Sequence, residues 1–119
     1  MYDVIIIGAG AAGMMAAGTA AQNGKKVLVI EKMEKAGRKI RITGKGRCNL
    51  TNARPPEEFA EQVRTNADFF ATAFAEFNNR ATIRFFERRG LKLDFERGDR
   101  VFPHSGKAWD VANTLEEWC

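Results

Sequence analysis

The first thirty residues alternate between short apolar runs and a segment of small residues. Tyr2–Ile7 ends in four β-branched apolar residues that run into a glycine, and Val27–Ile30 is a second apolar run. Between them, Gly10–Asn23 is rich in alanine, whose small side chain suits a helix packed closely on a sheet. The pattern predicts two buried parallel strands joined by a helix.

The chain after the second strand lacks any clear periodicity for more than twenty residues. Lys32–Arg54 is predicted to be a loop, although connections between a strand and a helix usually have roughly 2–6 residues. A loop of this length usually has a function. Pro55–Pro56 ends it, and we place the boundary between two parts of the chain there.

The segment after the prolines has helical periodicity. One broad apolar face contains five residues: Phe69, Phe70, Ala73, Phe74 and Phe77. Asn78–Asn79 interrupts the pattern, and Ile83, Phe85 and Phe86 continue it to Gly90, where a helix is predicted to end. We expect the phenylalanines to belong to the core and not to stack on a cofactor.

The last third of the chain predicts a hairpin and a helix. Apolar and charged residues alternate over Leu91–Glu96, which is typical of a half-exposed strand, and a turn at Arg97–Asp99 leads back to Val101–Phe102. A final helix is predicted to begin after Ser105–Gly106. Its inner side would carry Ala108, Val111, Ala112 and Leu115.

Three glycines stand where the first strand meets the first helix. Gly8 can adopt the positive φ of a tight turn, Gly10 leaves room for a pyrophosphate against the backbone, and Gly13 lets the helix approach the strand. The helix would offer free amides and a partial positive charge to phosphates. This order of elements predicts a dinucleotide site, and the alternative is a glycine-rich turn without a ligand.

An acid follows at the spacing that dinucleotide-binding units use. Seventeen residues separate Gly13 from Glu31, which ends the second apolar run. A carboxylate at this position can accept two hydrogen bonds from a ribose diol and would repel a 2′-phosphate. The sequence therefore favours FAD or NAD over NADP.

Composition excludes several other classes of protein. The chain has 119 residues, of which 45% are hydrophobic and 29% are charged, as in a small water-soluble domain. No apolar stretch approaches the roughly 20 residues of a membrane span, and the short apolar run at Val4 is not typical of a secretory signal, so we expect no membrane partner and a cytoplasmic location. Cys48, Cys119 and the one histidine, His104, have no metal-ligand spacing, so no metal site is predicted.

The net charge of +4 is unevenly distributed. Lys25–Arg54 contains ten basic residues and two acids, so this segment is strongly positive while the remainder is negative. Because the segment holds no aromatic residue that could stack on a base, we favour neutralisation of the cofactor's diphosphate over nucleic-acid binding. Plain solvated surface is the other alternative.

Within that segment, Thr43–Asn52 is dense in glycine, hydroxyl and amide groups. Such a run can offer backbone amides, a guanidinium and side-chain amides to a polar ligand. A series of ordinary turns would have the same composition.

Taken together, these motifs resemble the bacterial aminoacetone oxidase family of FAD-binding flavoproteins, which also includes a bile-acid enone reductase. The resemblance covers essentially the whole chain. It is most specific from the glycine–arginine–lysine motif at Gly37–Lys39 to the asparagine–leucine–threonine–asparagine motif at Asn49–Asn52. It is carried by Tyr2–Gly13, Glu31–Lys32, Gly37–Lys39, Thr43–Asn52, Arg100–Pro103 and Lys107–Ala108. One departure is Asp99, where the family pattern would have a glycine.

The resemblance implies a role for each matching residue. The FAD pyrophosphate would lie on Gly8, Ala9, Gly10, Ala11, Ala12 and Gly13, and the adenosine ribose on Glu31. Lys32, Arg38 and Lys39 would line the adenosine and phosphate side, and Gly44, Arg47, Cys48 and Asn49 would approach the ribityl chain and the flavin. It also implies a longer protein, in which an inserted substrate domain and a C-terminal part complete the FAD domain.

No catalytic residue is assigned. Arg47 and nearby amides could lower the pKa of Cys48 toward a reactive thiolate, but a disulfide-reductase mechanism would need a second cysteine nearby. We therefore favour Cys48 as a small packing residue beside the flavin. His104 is a candidate proton donor, although a lone loop histidine is more often a surface residue.

The predicted fold is an α/β Rossmann-like FAD/NAD(P)-binding βαβ unit with a helical extension and an incomplete doubly wound parallel sheet. Residues 1–119 would form the N-terminal part of an FAD-binding domain: 1–54 the βαβ start and basic loop, 55–119 a mainly helical extension with a hairpin. The preferred function is a flavoprotein oxidoreductase acting on a small-molecule substrate, with NAD(P)H a candidate electron donor. The alternatives are an NAD-dependent dehydrogenase module and a non-enzymatic, truncated nucleotide-binding fragment that needs the missing C-terminal part as its partner.

Overall fold

The first strand–helix–strand unit forms as the apolar pattern predicts. In the computed structural model, which describes all 119 residues, β1 (Val4–Ile7) pairs in parallel with β2 (Val27–Ile30). The intervening helix α1 (Ala11–Gln22) begins after Gly10, and Asn23 caps its C-terminal end. A parallel pair joined by a helix confirms the α/β class.

The two strands are covered on one face only, so the expectation that both are buried is wrong. Ile6 faces α1, where Met14 is fully buried. On the opposite face Ile5, Ile7 and Ile30 are 58%, 78% and 48% exposed. Parallel sheets usually have both faces covered by helices, and within this chain α1 supplies one such cover.

The segment between β2 and the prolines is not the continuous loop that the sequence predicts. It contains a short helix, α2 (Arg38–Ile42), a 3₁₀ turn at Gly44–Gly46 and a two-residue strand, β3 (Thr51–Asn52). The left-handed φ of Gly37, +65°, turns the chain into α2. Local turn chemistry of this kind leaves no periodic signal in the sequence.

The last helix, α6 (Ala108–Trp118), packs against α1 and α2. The four residues predicted for its inner side are all buried, with Ala108 and Ala112 completely inaccessible. It approaches α1 closely, because a Cβ on Gly18 would lie 2.3 Å from the Trp118 ring. None of the helices has the length and apolar character that a membrane span requires.

The chain forms two compact units, and the boundaries between them do not coincide with Pro55–Pro56. One unit comprises Met1–Cys48 with Lys107–Cys119, and the other comprises Asn49–Gly106. The second unit has a three-stranded antiparallel sheet in the order β3, β5 (Arg100–Pro103), β4 (Leu93–Glu96).

The β4–β5 hairpin forms as predicted, but burial along β4 does not follow the predicted alternation, because Leu93 is buried whereas Phe95 is 54% exposed. In the hairpin's register, Leu93 lies opposite Pro103 at one end and Glu96 lies opposite Arg100 at the other. Asp99 in the turn has a φ of +61°, a left-handed conformation that favours glycine. The departure from the family pattern therefore falls where glycine would fit with less strain.

Three helices complete the second unit: α3 (Pro56–Glu61), α4 (Ala67–Glu76) and α5 (Asn79–Arg88). The prediction of a phenylalanine core holds for Phe85 and Phe86, which are buried, and fails for α4.

No residue of α4 is buried, and Phe69 is 88% exposed. The α4 rings stack instead on one another and on α3, with Phe59–Phe74 and Phe70–Phe74 centroids 5.1 and 5.0 Å apart. Helical periodicity therefore marked an apolar face correctly but did not show what that face packs against.

We expect Asn79→Ala to destabilise the second unit by about 2 kcal/mol. Asn79 is 2% exposed, and its Nδ2 donates to the carbonyls of Asn52 and Arg54 at 2.7 and 2.8 Å. Without the amide these two acceptors lose their partner. Urea unfolding measures the change, with the exposed Gln62→Ala as control, and equal stability of the two variants would contradict this role.

Candidate dinucleotide-binding site

The glycine turn has the geometry that a pyrophosphate cradle needs. Gly8 has a φ of +99°, and its N–H donates to Ile30 O at 2.7 Å. A Cβ on Gly13 would lie 1.9 Å from Gly8 O, so only glycine lets α1 start here. A Cβ on Gly10 would meet no atom within 4 Å, which leaves open space beside the backbone.

Ala9 and Glu31 connect the glycine turn to the end of β2.

 The N–H of Ala9 donates to Glu31 Oε1 at 2.8 Å, and the N–H of Met33 donates to Glu31 Oε2 at 2.8 Å. The carbonyl of Ala9 accepts the N–H of Gly37 at 2.7 Å, so Ala9 also fixes the start of α2. Ala9 is itself buried. Its amide is thus committed to Glu31, a different partner from the pyrophosphate that the sequence suggests.

These hydrogen bonds keep the Glu31 carboxylate charged. The N–H of Met33, followed by that of Ala9, holds the pKa of Glu31 below its ordinary value. Each oxygen accepts one of these bonds and retains a lone pair for a further donor. A carboxylate held in this way can still accept hydrogen bonds from a ribose diol.

The turn opens into a groove of about 490 Å³ in the first unit, called the glycine groove below. The groove is lined by Ile7, Gly8, Gly10, Ala11, Ala12, Gly13, Gly37, Lys39, Ile40 and Thr43. The N–H groups of Ala11, Ala12 and Gly13 belong to the first turn of a twelve-residue helix, where no preceding turn supplies acceptors for them. Amide donors, a lysine and space beside Gly10 together suit a pyrophosphate, so the residues present fit FAD.

The basic loop has fewer backbone amides free for a ligand than its composition suggests. Gly44, Lys45, Gly46 and Cys48 all have left-handed φ angles, between +53° and +85°. The amides of Gly46 and Cys48 both donate to Thr43 O, and that of Arg47 donates to Gly44 O. The loop is therefore a closed set of turns, and three of its amides are used within it.

The other predicted site residues are distributed over different surfaces. Arg47 is half-buried at the end of the loop, and Lys32 is exposed and does not line the glycine groove. Arg38 lines a second groove, whereas the next residue, Lys39, lines the glycine groove. Asn49 belongs to the second unit, where its side-chain nitrogen donates to Thr51 O and Val101 O.

Cys48 lies in a setting that favours packing over thiolate chemistry. It is 6% exposed, and burial raises the pKa of its thiol above the ordinary value, only partly offset by a hydrogen bond with Thr43. The neutral thiol is thus favoured in the folded state at neutral pH, and this contribution to stability is lost as the pH rises through the folded pKa.

We expect iodoacetamide to alkylate Cys48 at least about tenfold more slowly than Cys119 near neutral pH. Cys119 is exposed and serves as the internal control. Mass spectrometry of the peptides measures both rates, and they should converge in urea. Rapid modification of Cys48 in the folded protein would argue for a reactive thiolate.

His104 lies in the second unit on the surface of the hairpin. Its Nδ1 is 2.9 Å from Asp94 Oδ1, and its side chain is 56% exposed. Its backbone N–H donates to Lys92 O at 2.8 Å. The described contacts tie this histidine to the hairpin and give it no catalytic partner.

Sequence reasoning missed several residues that the fold brings to the site. Gly37, Ile40 and Thr43 line the glycine groove together with Lys39. Gly37 is the most constrained of them, because a Cβ there would lie 3.2 Å from both Ala112 Cβ and Met14 Cε. Its place within the glycine–arginine–lysine motif was the available signal.

The whole chain matches a known family. Residues 2–119 match the model described as "HI0933-like protein Rossmann domain". The chain belongs to this family. Membership confirms the Rossmann-type fold, and together with the glycine turn it confirms FAD as the cofactor class. The finer assignment to the aminoacetone oxidase family stays a prediction.

Individual relatives agree with the family match. The chain is 42% identical over 91 residues to the ribosomal RNA dihydrouridine synthase of Escherichia coli. The matched segment covers 76% of this chain and 22% of that protein. It is 35% identical over 118 residues to the 3-dehydro-bile acid delta(4,6)-reductase of Clostridium scindens, covering 98% of this chain and 28% of that protein. The chain thus spans about a quarter of the length of these curated relatives.

Proposed function

We propose that this chain is the cofactor-binding part of an FAD-dependent oxidoreductase that reduces a carbon–carbon double bond. The observation that carries the cofactor assignment is the groove at the N-terminus of α1, with space beside Gly10 and Lys39 on its wall. FAD, when bound, would supply the hydride for such a reduction. The residues of this chain bind and orient the cofactor.

The contacts of the groove residues support a separate role for each of them in binding FAD. The first-turn amides of Ala11, Ala12 and Gly13 would hold the pyrophosphate, with Lys39 neutralising its charge. Glu31 would accept hydrogen bonds from the adenosine ribose. Lys32, Gly44, Arg47, Cys48 and Asn49 remain proposed contacts of the adenosine, ribityl and flavin parts, whereas Arg38 lines a separate groove.

The proposed reaction class rests on the names of the relatives. One forms dihydrouridine in ribosomal RNA and another is a bile-acid delta(4,6)-reductase, and both names describe addition of hydrogen to an unsaturated substrate. We propose the same class of reaction for the protein to which this chain belongs. The two named substrates differ widely, so they assign no substrate to this chain.

We further propose that the exposed face of the first sheet is covered by polypeptide outside this chain. Ile5, Ile7 and Ile30 present apolar surface where parallel sheets carry a second helical layer. The greater length of the relatives supports this proposal, since roughly three quarters of each lies outside the match.

The cofactor proposal is tested by purification and denaturation of the protein. We expect a yellow protein with a flavin absorption spectrum that releases FAD on heating. A colourless protein that binds NAD and cannot be reconstituted with FAD would support the dehydrogenase alternative instead.

We expect Glu31→Gln to weaken FAD binding by roughly tenfold, because the charged acceptor for the ribose diol becomes a weaker, neutral one. Fluorescence titration of the apoprotein with FAD measures the change. Glu57→Gln, in the first turn of α3, is the matched control. Equal affinity of both variants would remove Glu31 from the cofactor site.

A further inference from the structure

A second groove lies between α2 and the first turn of α6, within the first unit. It has a volume of about 350 Å³ and shares no lining residue with the glycine groove. Its walls include Met33, Lys35, Arg38, Arg41 and Trp109. A planar aromatic ring and several cations are thus brought to one concave surface.

Trp109 presents an open aromatic surface in this groove. The residue is 51% exposed, although it stands in the first turn of a helix whose inner face is buried. The Lys35 Nζ lies 5.6 Å from the centre of the ring, and the Arg41 guanidinium lies 4.5 Å from it. Both cations are attracted by the electron-rich face of the indole ring, and half of the residue stays exposed.

The cationic side chains of the groove differ in how strongly they are bonded to the rest of the protein. Arg41 is buried and bonded to Ala36 O, Asn113 and Glu116. Lys35 and Arg38 are exposed, and the described polar contact of Arg38 is a weak one, 3.8 Å from Nη1 to Met33 Sδ. Lys35 and Arg38 therefore supply cationic groups at the groove mouth, opposed by one lining acid, Glu34.

We propose that this second groove binds a nucleotide unit, with the base on Trp109 and the phosphate beside Lys35 and Arg38. A planar ring suits a base, and neighbouring cations suit a phosphate. The sequence disfavours such a site, because the basic segment contains no aromatic residue. The fold changes that conclusion, since α6 brings Trp109 to the segment from far along the chain.

The same chemistry is offered by single-stranded RNA and by a free nicotinamide dinucleotide. The experiment uses FAD-saturated protein and two probes, a fluorescein-labelled oligouridylate followed by anisotropy and NADPH followed by calorimetry. Binding of either probe supports the proposal and identifies the source of the nucleotide. Absence of binding by both probes at low salt would overturn it.

Variants locate the binding. We expect Trp109→Ala to weaken binding of the active probe about tenfold and Lys35→Gln to weaken it about threefold with a smaller salt dependence. Lys25→Gln removes one charge from the same basic segment outside the groove and should have little effect. Lys35 is an exposed side chain, so its variant remains informative if Trp109→Ala fails to fold.

Two further results would contradict the proposal. If Lys25→Gln weakens binding as much as Lys35→Gln, the attraction is diffuse charge and not a site. If Trp109→Ala instead lowers the affinity for FAD, the groove belongs to the FAD site.

Discussion

Substitution of Gly13 by alanine should abolish the cofactor site and destabilise the first unit. The new Cβ would lie 1.9 Å from the carbonyl oxygen of Gly8 and 3.1 Å from its carbon, and no side-chain rotation can relieve this clash because the backbone fixes the position of Cβ. The start of α1 must then move away from β1. We expect a loss of about 3 kcal/mol in unfolding free energy and at least about hundredfold weaker FAD binding.

Gly10→Ala is the matched control because the same methyl group is added three residues earlier. The φ of Gly10 is −82°, which alanine adopts freely, and its Cβ would meet no atom of the protein within 4 Å. We expect nearly unchanged stability and weakened FAD binding, since the methyl would occupy the space that a pyrophosphate requires. Thermal unfolding and FAD titration of both variants separate the two effects. Unchanged FAD affinity of Gly10→Ala would show that the pyrophosphate does not approach the backbone there.

The first βαβ unit was predictable because its signals are local. Glycine before a helix, β-branched runs before glycine and an acid after the second run each restrict nearby residues. Gly13 and Glu31 lie in the structure where the motif requires them. The inner face of α6 was predictable for the same reason, since Val111 and Leu115 follow a 3.6-residue period.

Other features depend on contacts that sequence periodicity does not encode. The apolar runs of β1 and β2 resemble fully buried strands, but burial of Ile5 and Ile7 requires a layer that these residues do not supply. Phe69 belongs to an apolar helical face, yet α4 turns it to solvent. The engagement of Ala9 by Glu31 and Gly37 could not be read from an alanine in a glycine motif.

Arg41 is a further residue that the sequence did not single out, although it lies between the predicted site residues Lys39 and Gly44. In the sequence it is one of ten basic residues, with nothing to distinguish it. In the structure it is 6% exposed and connects α2 to α6, with Nη1 donating to Asn113 Oδ1 at 2.9 Å and Nη2 to Glu116 Oε2 at 3.0 Å. Its Nε donates to Ala36 O at 2.9 Å. A planar guanidinium is the side chain that can donate in these three directions at once.

Arg41→Met should therefore lower the unfolding free energy of the first unit by about 2 kcal/mol and also weaken FAD binding. Half of the Glu116 side chain is exposed, so its carboxylate is solvated after the change and the loss is smaller than for a fully buried pair. Methionine keeps the apolar stem, which isolates the guanidinium's contribution. Because α2 carries Lys39 into the glycine groove, loosening of α2 should reduce affinity for FAD.

Arg38→Met is the control, since it removes the same group from an exposed position on the same helix. Its described polar contact is the 3.8 Å approach to Met33 Sδ, so we expect a stability change within about 0.5 kcal/mol. Arg41→Lys should recover only part of the loss, because an ammonium group cannot reproduce the three directed hydrogen bonds. If Arg41→Met and Arg38→Met unfold at the same urea concentration, the contacts between α2 and α6 do not depend on the guanidinium, and other contacts of α2, such as the hydrogen bond from Gly37 N–H to Ala9 O, set the position of Lys39.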